Sequence, residues 1–235
     1  ASPRLGGQAL LAQELPGRAE FGGIVTNLAH EMQVHGVEVR METQVTLELI
    51  KSIEAGAVIL ATGATPHKPA LEGQEDAHVV DAWQVIRGEA NVGGRVVIAD
   101  WRCDWVGLGL AEKLARDGCK VTLAVNGYTP GQMIQMYVRD RWIGDLHKLG
   151  VEIIPYARLF GADATSAYLQ HVTSGEAIIV DDVDTVVTAM GHLPVTVLAD
   201  ALEDWSGDVL MAGDCLSPRT CEEAVLEGMK AGFEV

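Results

Sequence analysis

Short runs of β-branched residues alternate along this chain with segments that have the apolar spacing of helices. Parallel strands are buried on both faces, so they appear as near-continuous apolar runs, and each needs a crossover to reach the next. The alternation therefore predicts an α/β fold with a parallel sheet flanked by helices, rather than a sandwich or a bundle. The predicted strands are residues 37–41, 57–61, 95–99, 120–125, 151–154, 184–189 and 208–212, and the predicted helices are residues 20–35, 108–117, 131–149 and 221–232.

A stretch rich in glycine and proline, residues 65–94, interrupts this alternation and indicates a crossover between two lobes. The following segment has its own strand, helix and strand in the order of a nucleotide-binding unit. We therefore predict a discontinuous first domain, residues 1–92 and 193–235, with a second domain inserted at residues 93–192. The first residues contain no initiating Met and no signal peptide, and we expect the chain to be part of a longer protein.

The charge and the cysteine content narrow the range of partners. The chain of 235 residues has 33 Asp and Glu against 17 Lys and Arg, a net charge of −16. Because like charges repel, neither nucleic acid nor an anionic membrane is an expected partner. No run of 18 apolar residues is present, and the four cysteines lack the spacing of zinc sites or of a disulfide framework. A reducing cytoplasm is therefore the expected location.

Two predicted strands end in glycine-bearing turns. ATGATP (61–66) follows the strand that ends at Leu60, and Gly213 and Asp214 follow the strand that ends at Ala212. Glycine lets backbone N–H groups approach a phosphate or a ring, and Asp214 can accept hydrogen bonds from ribityl or ribose hydroxyls. The segment 220–223 fits a capping box, whose helix start suits an anionic group. For each motif alone, a plain turn is the competing interpretation.

The order of the motifs is more specific than any one of them. LGGQ (5–8), ATGATP (61–66), a nucleotide-type lobe, DTVVTAMGHLP (184–194) and GDCLSPRTCEEAVLEG (213–228) follow one another. Together they resemble the C-terminal dinucleotide-binding region of the old-yellow-enzyme-related NADH:flavin oxidoreductases, of the 2,4-dienoyl-CoA reductase, trimethylamine dehydrogenase and histamine dehydrogenase type. The resemblance spans nearly the whole chain. It implies two entwined Rossmann-like, three-layer domains similar to those of glutathione reductase, the first lacking its N-terminal GxGxxG unit.

The resemblance also implies cofactors and partners. FAD or ADP is expected in this region, bound weakly or not at all without the GxGxxG unit. Substrate chemistry in the family occurs in an N-terminal barrel with FMN and a 4Fe–4S cluster, so no catalytic residue is expected here. Expected partners are that barrel, an electron-transferring flavoprotein and, for the intact protein, further copies of itself. The implied cofactor contacts are Gly6, Gly7 and Gln8 near the adenosine, Thr62 and Gly63 beside the dinucleotide, Gly213 and Asp214 at the pyrophosphate and ribityl chain, and Thr220 at the helix start.

The loop of the inserted lobe departs from the nucleotide-binding pattern. Counting back from the strand at 120–125, Gly107 takes the place of the third glycine of GxGxxG, while Arg102 and Asp104 replace the first two. A carboxylate at Asp104 opposes an anionic pyrophosphate, and the next strand ends without an acidic residue for a ribose. We therefore predict a vestigial nicotinamide site with NAD(P) binding in doubt. The loop favours an amine dehydrogenase or an N-methyl amine or amino-acid demethylase; an NAD(P)H-dependent flavin reductase and a non-catalytic structural module are the alternatives.

A few further residues have two possible roles. Trp101 and Trp105 flank the altered loop, where they could plug an empty cleft, stack on a ring or simply pack in a core or interface. Cys215 and Cys221 lack the Cys-x-x-Cys spacing of a dithiol reductase and are expected to be packing thiols. The histidines show no ligand pattern, so no metal site is expected.

Overall fold

A computed structural model describes residues 2–235 and forms two compact units. The first unit consists of the residues up to Leu10 with 20–65 and 192–235; the second consists of 11–19 and 66–191. The second unit thus includes the crossover that follows residue 65, because a strand of that crossover joins its sheet. The predicted domain boundaries, 1–92 with 193–235 around 93–192, stay a prediction.

The helices and strands follow one another in an α/β order. In chain order they are α1 (Gln8–Ala12), α2 (Glu20–Val34), α3 (Leu47–Ile53), β1 (Ala57–Leu60), β2 (Ala64–Pro66), β3 (Val79–Asp81), α4 (Ala82–Ile86), β4 (Arg95–Asp100), α5 (Trp105–Arg116), β5 (Lys120–Val125), α6 (Met136–Lys148), β6 (Glu152–Ile154), β7 (Ala157–Ala162), β8 (Ser166–His171), β9 (Ala177–Asp181), β10 (Thr185–Ala189), β11 (His192–Pro194), α7 (Val197–Ala201), β12 (Asp208–Met211) and α8 (Cys221–Glu234). No helix among residues 2–235 is both long enough and apolar enough to cross a membrane.

The second unit is built on a five-stranded parallel sheet in the order β3-β10-β4-β5-β6. β4 and β5 are buried on both faces, which explains their continuous apolar sequences. One face packs against α5 and α6, with Ile98, Leu108, Leu123 and Leu146 completely buried. The predicted α/β fold of Rossmann type is confirmed.

The other face of this sheet is covered by a three-stranded antiparallel sheet, β7-β8-β9. Val97 and Val186 of the parallel sheet pack there against Ala162 and Ala167. Sequence analysis predicted no element between residues 155 and 183. β9 alternates half-buried and exposed residues over five positions, and a bulge at Phe160 shifts the register of β7. The apolar run at residues 177–180 is short and lies at the edge of this sheet.

The first unit contains a two-stranded parallel sheet, in which Ala57–Leu60 pairs with Asp208–Met211. Ile50 of α3, Leu60, Leu202 and Cys215 form its buried cluster. The predicted strand at 37–41 is wrong: Val37, Val39 and Met41 are exposed and no ladder partner lies beside them within residues 2–235. An apolar alternation alone does not make a strand, because its backbone groups need a neighbouring strand.

The predicted helix at 131–149 begins five residues later, at Met136. Gly131 has φ +65°, a left-handed conformation that no helix interior contains, and residues 131–135 form turns before the helix. The other predicted helices match within a few residues. The prediction for 131–149 used apolar spacing, which does not report the backbone conformation of a glycine.

Candidate functional site

The first candidate region is the carboxyl edge of the sheet formed by β1 and β12, which we call the edge site. Because the two strands are parallel, both end at this edge, where the Ala212 N–H donates to the Leu60 carbonyl (2.9 Å). The turns that follow are those predicted from sequence, and ligands in open α/β sheets bind beyond such strand ends. The residues of the edge site are Gln8, Thr62, Gly63, Gly213 and Asp214.

The structure brings Gln8 and Asp214 together although they are far apart in sequence. The Gln8 Nε2 donates to Asp214 Oδ2 at 2.6 Å, and the Arg219 N–H donates to Asp214 Oδ1 at 3.2 Å. Asp214 is partly exposed, so its remaining lone pairs are accessible to a hydroxyl donor. Gly6, at the start of the same segment, has φ +115° and no room for a Cβ beside Val25. The LGGQ turn therefore needs a glycine there to place Gln8 against Asp214.

Thr62 and Gly63 contact the segment after β11. The Thr62 hydroxyl donates to the Val195 carbonyl at 2.6 Å, and the Val195 N–H donates to the Gly63 carbonyl at 3.0 Å. Gly63 has φ +74°, which makes the sharp exit from β1 possible. Because the Thr62 hydroxyl already donates its hydrogen to Val195, this hydroxyl can only accept a hydrogen bond from a ligand.

The Gly213 N–H, expected from the resemblance to meet a pyrophosphate, donates to Glu227 Oε2 of α8 at 2.8 Å. Glu227 also pairs with Arg219. Thr220 forms the predicted capping box at the start of α8, in which its hydroxyl and N–H bond to the Glu223 carboxylate. The hydrogen bond from the Thr220 hydroxyl lowers the pKa of Glu223. The Gly213 N–H and the polar groups of Thr220 thus already have hydrogen-bond partners within the chain.

The second region is the loop between β4 and α5, residues 100–107, which we call the nucleotide loop. Asp100 ends β4 and is 2% exposed; its Oδ1 accepts from the Cys103 N–H at 2.8 Å, while its Oδ2 has no hydrogen-bond partner. Asp104 caps α5 by accepting from the Val106 N–H at 2.9 Å. Arg102 pairs with Asp104 at 3.1 Å. The loop amides that would face a phosphate therefore donate to carboxylates of the chain.

Gly107 lies in the first turn of α5, directly against Asp100. A Cβ added to Gly107 would lie 2.2 Å from Asp100 Oδ2. The site residues predicted from sequence include Arg102, Asp104 and Gly107 but not Asp100, because the predicted strand ended at residue 99. The available signal was an acidic residue directly after an apolar strand, two residues before Arg102.

The electrostatics of the nucleotide loop follow from its burial. Removal from water, and then the charge of Asp104, raise the pKa of Asp100 well above its usual value, against the lowering effect of the Cys103 N–H. Burial, and then the charge of Asp100, raise the pKa of the Cys103 thiol to about 11. The Cys103 and Val106 amides of this loop thus donate to the carboxylates of Asp100 and Asp104.

The remaining candidates divide into packed and exposed residues. Trp101 is 49% exposed, whereas Trp105 packs beside Trp142 with ring centroids 5.6 Å apart. Cys215 is buried, as predicted, but Cys221 is exposed at the start of α8, so its prediction as a packing thiol is wrong. Within residues 2–235, no group of three or more His, Cys, Asp or Glu side chains is arranged to hold a metal ion.

The fold and the two strand-end regions define an α/β dinucleotide-binding protein of the flavoprotein oxidoreductase type. The family model described as "Pyridine nucleotide-disulphide oxidoreductase" matches residues 4–228. The chain belongs to this family.

The comparisons with individual proteins confirm the resemblance predicted from sequence. The bilirubin reductase of Mediterraneibacter gnavus is 30% identical over 90% of this chain and 32% of that protein. A probable N-methylproline demethylase of Rhizobium meliloti is 30% identical over 87% of this chain and 30% of its own length. The structure of histamine dehydrogenase from Rhizobium sp. 4-9 superposes with a TM-score of 0.91 and 20% identity, over the whole of this chain and 39% of that one. The chain spans about a third of the length of these proteins.

Proposed function

We propose that this chain is the dinucleotide-binding portion of a larger flavin-dependent oxidoreductase and that it binds FAD or ADP at the edge site. In this proposal, Asp214 accepts hydrogen bonds from ribose or ribityl hydroxyls, held in position by Gln8 and the Arg219 N–H. No atom lies within 4 Å of a Cβ built on Gly63, so this turn leaves room for a ligand to approach beside β1. A bound flavin supplies the redox chemistry, and the residues of this chain bind and orient it.

Binding at Gly213 requires an exchange of partners. Its N–H donates to Glu227, and this carboxylate is the group that a pyrophosphate would replace. The Glu227 side chain is flexible, and its carboxylate can keep the ion pair with Arg219 after it has left the Gly213 N–H. The polar groups at this edge therefore fit a nucleotide, provided that Glu227 rotates away from Gly213.

The proposal places substrate chemistry on an N-terminal FMN barrel with a 4Fe–4S cluster, and favours an amine dehydrogenase or demethylase. The observation that carries this choice is the nucleotide loop, where Asp100 and Asp104 occupy the amides that NAD(P)H would need. Without a nicotinamide site, reducing equivalents from a substrate must leave through another acceptor, such as an electron-transferring flavoprotein. The likeness to a probable N-methylproline demethylase is consistent with this choice.

The second candidate is an NAD(P)H-dependent flavin reductase. The likeness to a bilirubin reductase and the pyridine-nucleotide description of the family favour it. It requires Asp100 and Asp104 to release the Cys103 and Val106 amides when the nucleotide binds. A non-catalytic structural module is the third alternative, and it predicts a colourless protein that binds no nucleotide.

Titration calorimetry separates these candidates. ADP, FAD, NADH and NADPH are each added to the full-length protein and to this chain. We expect saturable binding of ADP or FAD by the full-length protein and weaker binding by this chain, and no saturable binding of NADH or NADPH by either up to millimolar concentration. Micromolar binding of NADH that disappears on adding a Val106→Pro substitution, which removes one loop amide, would instead establish the flavin reductase. Absence of binding by all four nucleotides and of a flavin absorbance spectrum would establish the structural module.

A further inference from the structure

The antiparallel sheet β7-β8-β9 has an open side at β9, which we call the β9 edge. β9 is the outermost strand of this sheet and, among residues 2–235, pairs with β8 alone. Its sequence, AIIVD, has four consecutive apolar residues and neither lysine nor proline, the residues that commonly protect an open strand. An unpaired edge presents a row of backbone N–H and C=O groups, so it is able to accept a further strand.

The hydrogen bonds at both ends of the β8–β9 pair show which backbone groups point outward. The His171 N–H donates to the Glu176 carbonyl at one end, and the Val183 N–H donates to the Thr165 carbonyl at the other, both at 2.8 Å. Antiparallel residues alternate between pairs that exchange hydrogen bonds and pairs that do not. In this register residues 178 and 180 bond to β8. The N–H and C=O groups of residues 177, 179 and 181 therefore point away from β8.

Ile179 presents an exposed side chain as well as these outward backbone groups. It is 57% exposed, whereas its neighbours Ile178 and Val180 pack against the cluster around Leu169. A strand added at the β9 edge would place one of its residues directly beside Ile179, with the Cβ atoms about 4.5–5.5 Å apart. Apolar pairs at this spacing stabilise a sheet, so an apolar residue is favoured at that position.

The exposed charges at the β9 edge are acidic. Asp181 is exposed on the same face as Ile179, two positions along the strand, and the neutral Ser166 hydroxyl donates to its Oδ1 at 3.0 Å. Glu176, at the other end of the strand, is also exposed. Opposite charges in cross-strand pairs are favourable. A strand with basic residues opposite Asp181 and Glu176 therefore complements this edge.

A second copy of this chain fits the β9 edge less well. Two β9 strands paired antiparallel about Ile179 would bring Glu176 of each copy opposite Asp182 of the other, and like charges at opposed positions are destabilising. Two chains that each have a net charge of −16 also repel one another at longer range. A basic partner meets neither obstacle.

We propose that the β9 edge binds an extended basic segment of a partner protein, which adds to the sheet as an antiparallel strand. Main-chain hydrogen bonds to the outward groups of β9 hold such a segment, and its alternate side chains give the specificity. The segment has an apolar residue opposite Ile179 and a basic residue opposite Asp181. The β9 edge lies in the unit 11–19 and 66–191, away from the residues of the edge site, and its role does not depend on the proposed function.

The first test is a calorimetric titration of an end-capped peptide, Lys-Thr-Ile-Thr-Val-Lys, into this chain and into the full-length protein. In the proposed register its isoleucine lies opposite Ile179, and its two lysines lie opposite Asp181 and Glu176. We expect saturable binding with a Kd below about 1 mM. The same peptide with glutamate in place of both lysines should bind about fivefold more weakly or worse, since an exposed ion pair contributes up to about 1 kcal/mol. This difference should shrink in high salt.

A second peptide tests the backbone pairing. Methylation of the isoleucine nitrogen in the lysine peptide removes the N–H that donates to the Ile179 carbonyl, and we expect binding at least about fivefold weaker, as for the loss of one hydrogen bond. Equal affinities of the lysine, glutamate and methylated peptides, or no saturable binding of the lysine peptide, would overturn the proposal.

Substitutions locate the binding on the chain. Ile179→Pro removes an outward N–H and no hydrogen bond to β8, so it should abolish binding while the circular dichroism spectrum stays unchanged. Asp181→Asn keeps the backbone and should reduce the preference for the lysine peptide about threefold or more. Asp117→Asn removes the same charge from an exposed residue at the end of α5 and should leave this preference unchanged. An equal effect of Asp181→Asn and Asp117→Asn would reduce the preference to overall charge and overturn the proposal.

Two further results would assign the β9 edge to a different occupant. Sedimentation that shows a dimer of this chain, lost in Ile179→Pro, would assign it to a second copy. Binding of the lysine peptide by this chain but not by the full-length protein would show that another part of that protein covers the edge. Either result would overturn the proposed partner, whereas a monomeric chain and equal peptide binding by both proteins support it.

Discussion

The edge site and the nucleotide loop each place an aspartate just at or beyond the end of a parallel strand, yet the two carboxylates are in different states. Asp214 is partly exposed, and each of its oxygens accepts a hydrogen bond. Asp100 is 2% exposed, and one of its oxygens has no partner. The comparison shows that position in the topology does not fix the state of a strand-end carboxylate. Burial decides whether a strand-end carboxylate can bind a hydroxyl or instead blocks the loop.

The two regions also differ in how easily their amides become available. The Gly213 N–H donates to Glu227, a long side chain from another element that can rotate away. The Cys103 N–H donates to Asp100, which lies three residues earlier in a closed turn and packs on Gly107. Freeing this second amide requires the turn to be rebuilt. We therefore expect the edge site to accept an anion at lower cost than the nucleotide loop.

The packing of Asp100 on Gly107 gives the largest predicted effect. Gly107→Ala places a methyl group 2.2 Å from Asp100 Oδ2, and the buried loop cannot move aside without disturbing β4 and α5. We expect a loss of about 3 kcal/mol in the free energy of unfolding, measured by urea denaturation followed by circular dichroism. An unchanged stability would show that the loop is loosely packed.

Three further variants separate this clash from the general effect of a substitution in a helix. Gly144→Ala lies within α6 with no atom within 4 Å of the added methyl group, so it should stabilise by about 0.5–1 kcal/mol. Asp100→Gly removes the clashing atoms but also the acceptor of the Cys103 N–H, so the double variant is compared with Asp100→Gly alone; in that background the added methyl group should cost little, which restores the tolerance for alanine at position 107. Asp100→Ala should restore less, because the Asp100 Cβ itself would lie 2.8 Å from the new methyl group.

The core of the parallel sheet was predictable from sequence, whereas the antiparallel layer was not. β4 and β5 are near-continuous apolar runs because both of their faces are covered, with Thr122 as the one polar residue inside β5, and such runs are readily recognised in a sequence. β9 also contains an apolar run, residues 177–180, but its burial alternates over five residues, and the prediction from sequence assigned no strand there. The apolar alternation at Val37 and Val39 shows the opposite failure, because the pattern is present without a paired strand.

Within the candidate site, motifs close to one another in sequence were predictable and long-range contacts were not. The capping box at Thr220 and the turn at Gly63 depend on neighbouring residues and lie where the sequence indicated. The Gln8 and Asp214 contact joins residues 206 positions apart, and only the fold brings them together. The role of Asp100 likewise depends on its distance from Gly107, which spacing alone does not give.

The accessible aspartate gives the second prediction. Asp214→Ala removes the acceptor proposed for ribose or ribityl hydroxyls, and we expect ADP or FAD to bind about tenfold more weakly by calorimetry, as for the loss of a hydrogen bond to a charged group. Gln8→Ala should have a smaller effect in the same direction, because Gln8 only positions that carboxylate. Asp76→Ala removes an exposed acidic residue in the other unit and serves as the control. Unchanged affinity in Asp214→Ala would remove the edge site as the binding region.

The buried aspartate gives the third prediction, a dependence of stability on pH. An aspartate has a pKa of about 3.9 in the unfolded chain, and burial raises the pKa of Asp100 in the folded protein. Between these two values the folded state keeps a proton that the unfolded state has released. Stability therefore decreases as pH rises through this window, by at most about 1.4 kcal/mol per pH unit.

Asp100→Asn isolates this contribution, since asparagine has the same shape and does not titrate. The unfolding free energy of the variant minus that of the original chain should rise with pH from about 4 up to the raised pKa of Asp100, and then stay constant. Urea denaturation at a series of pH values measures this difference, and the exposed Asp76→Asn should show no comparable rise. Parallel stability curves for Asp100→Asn and the original chain would mean that Asp100 is ionised and hydrated. The nucleotide loop would then be as open to a ligand as the edge site, and the contrast between the two regions would be lost.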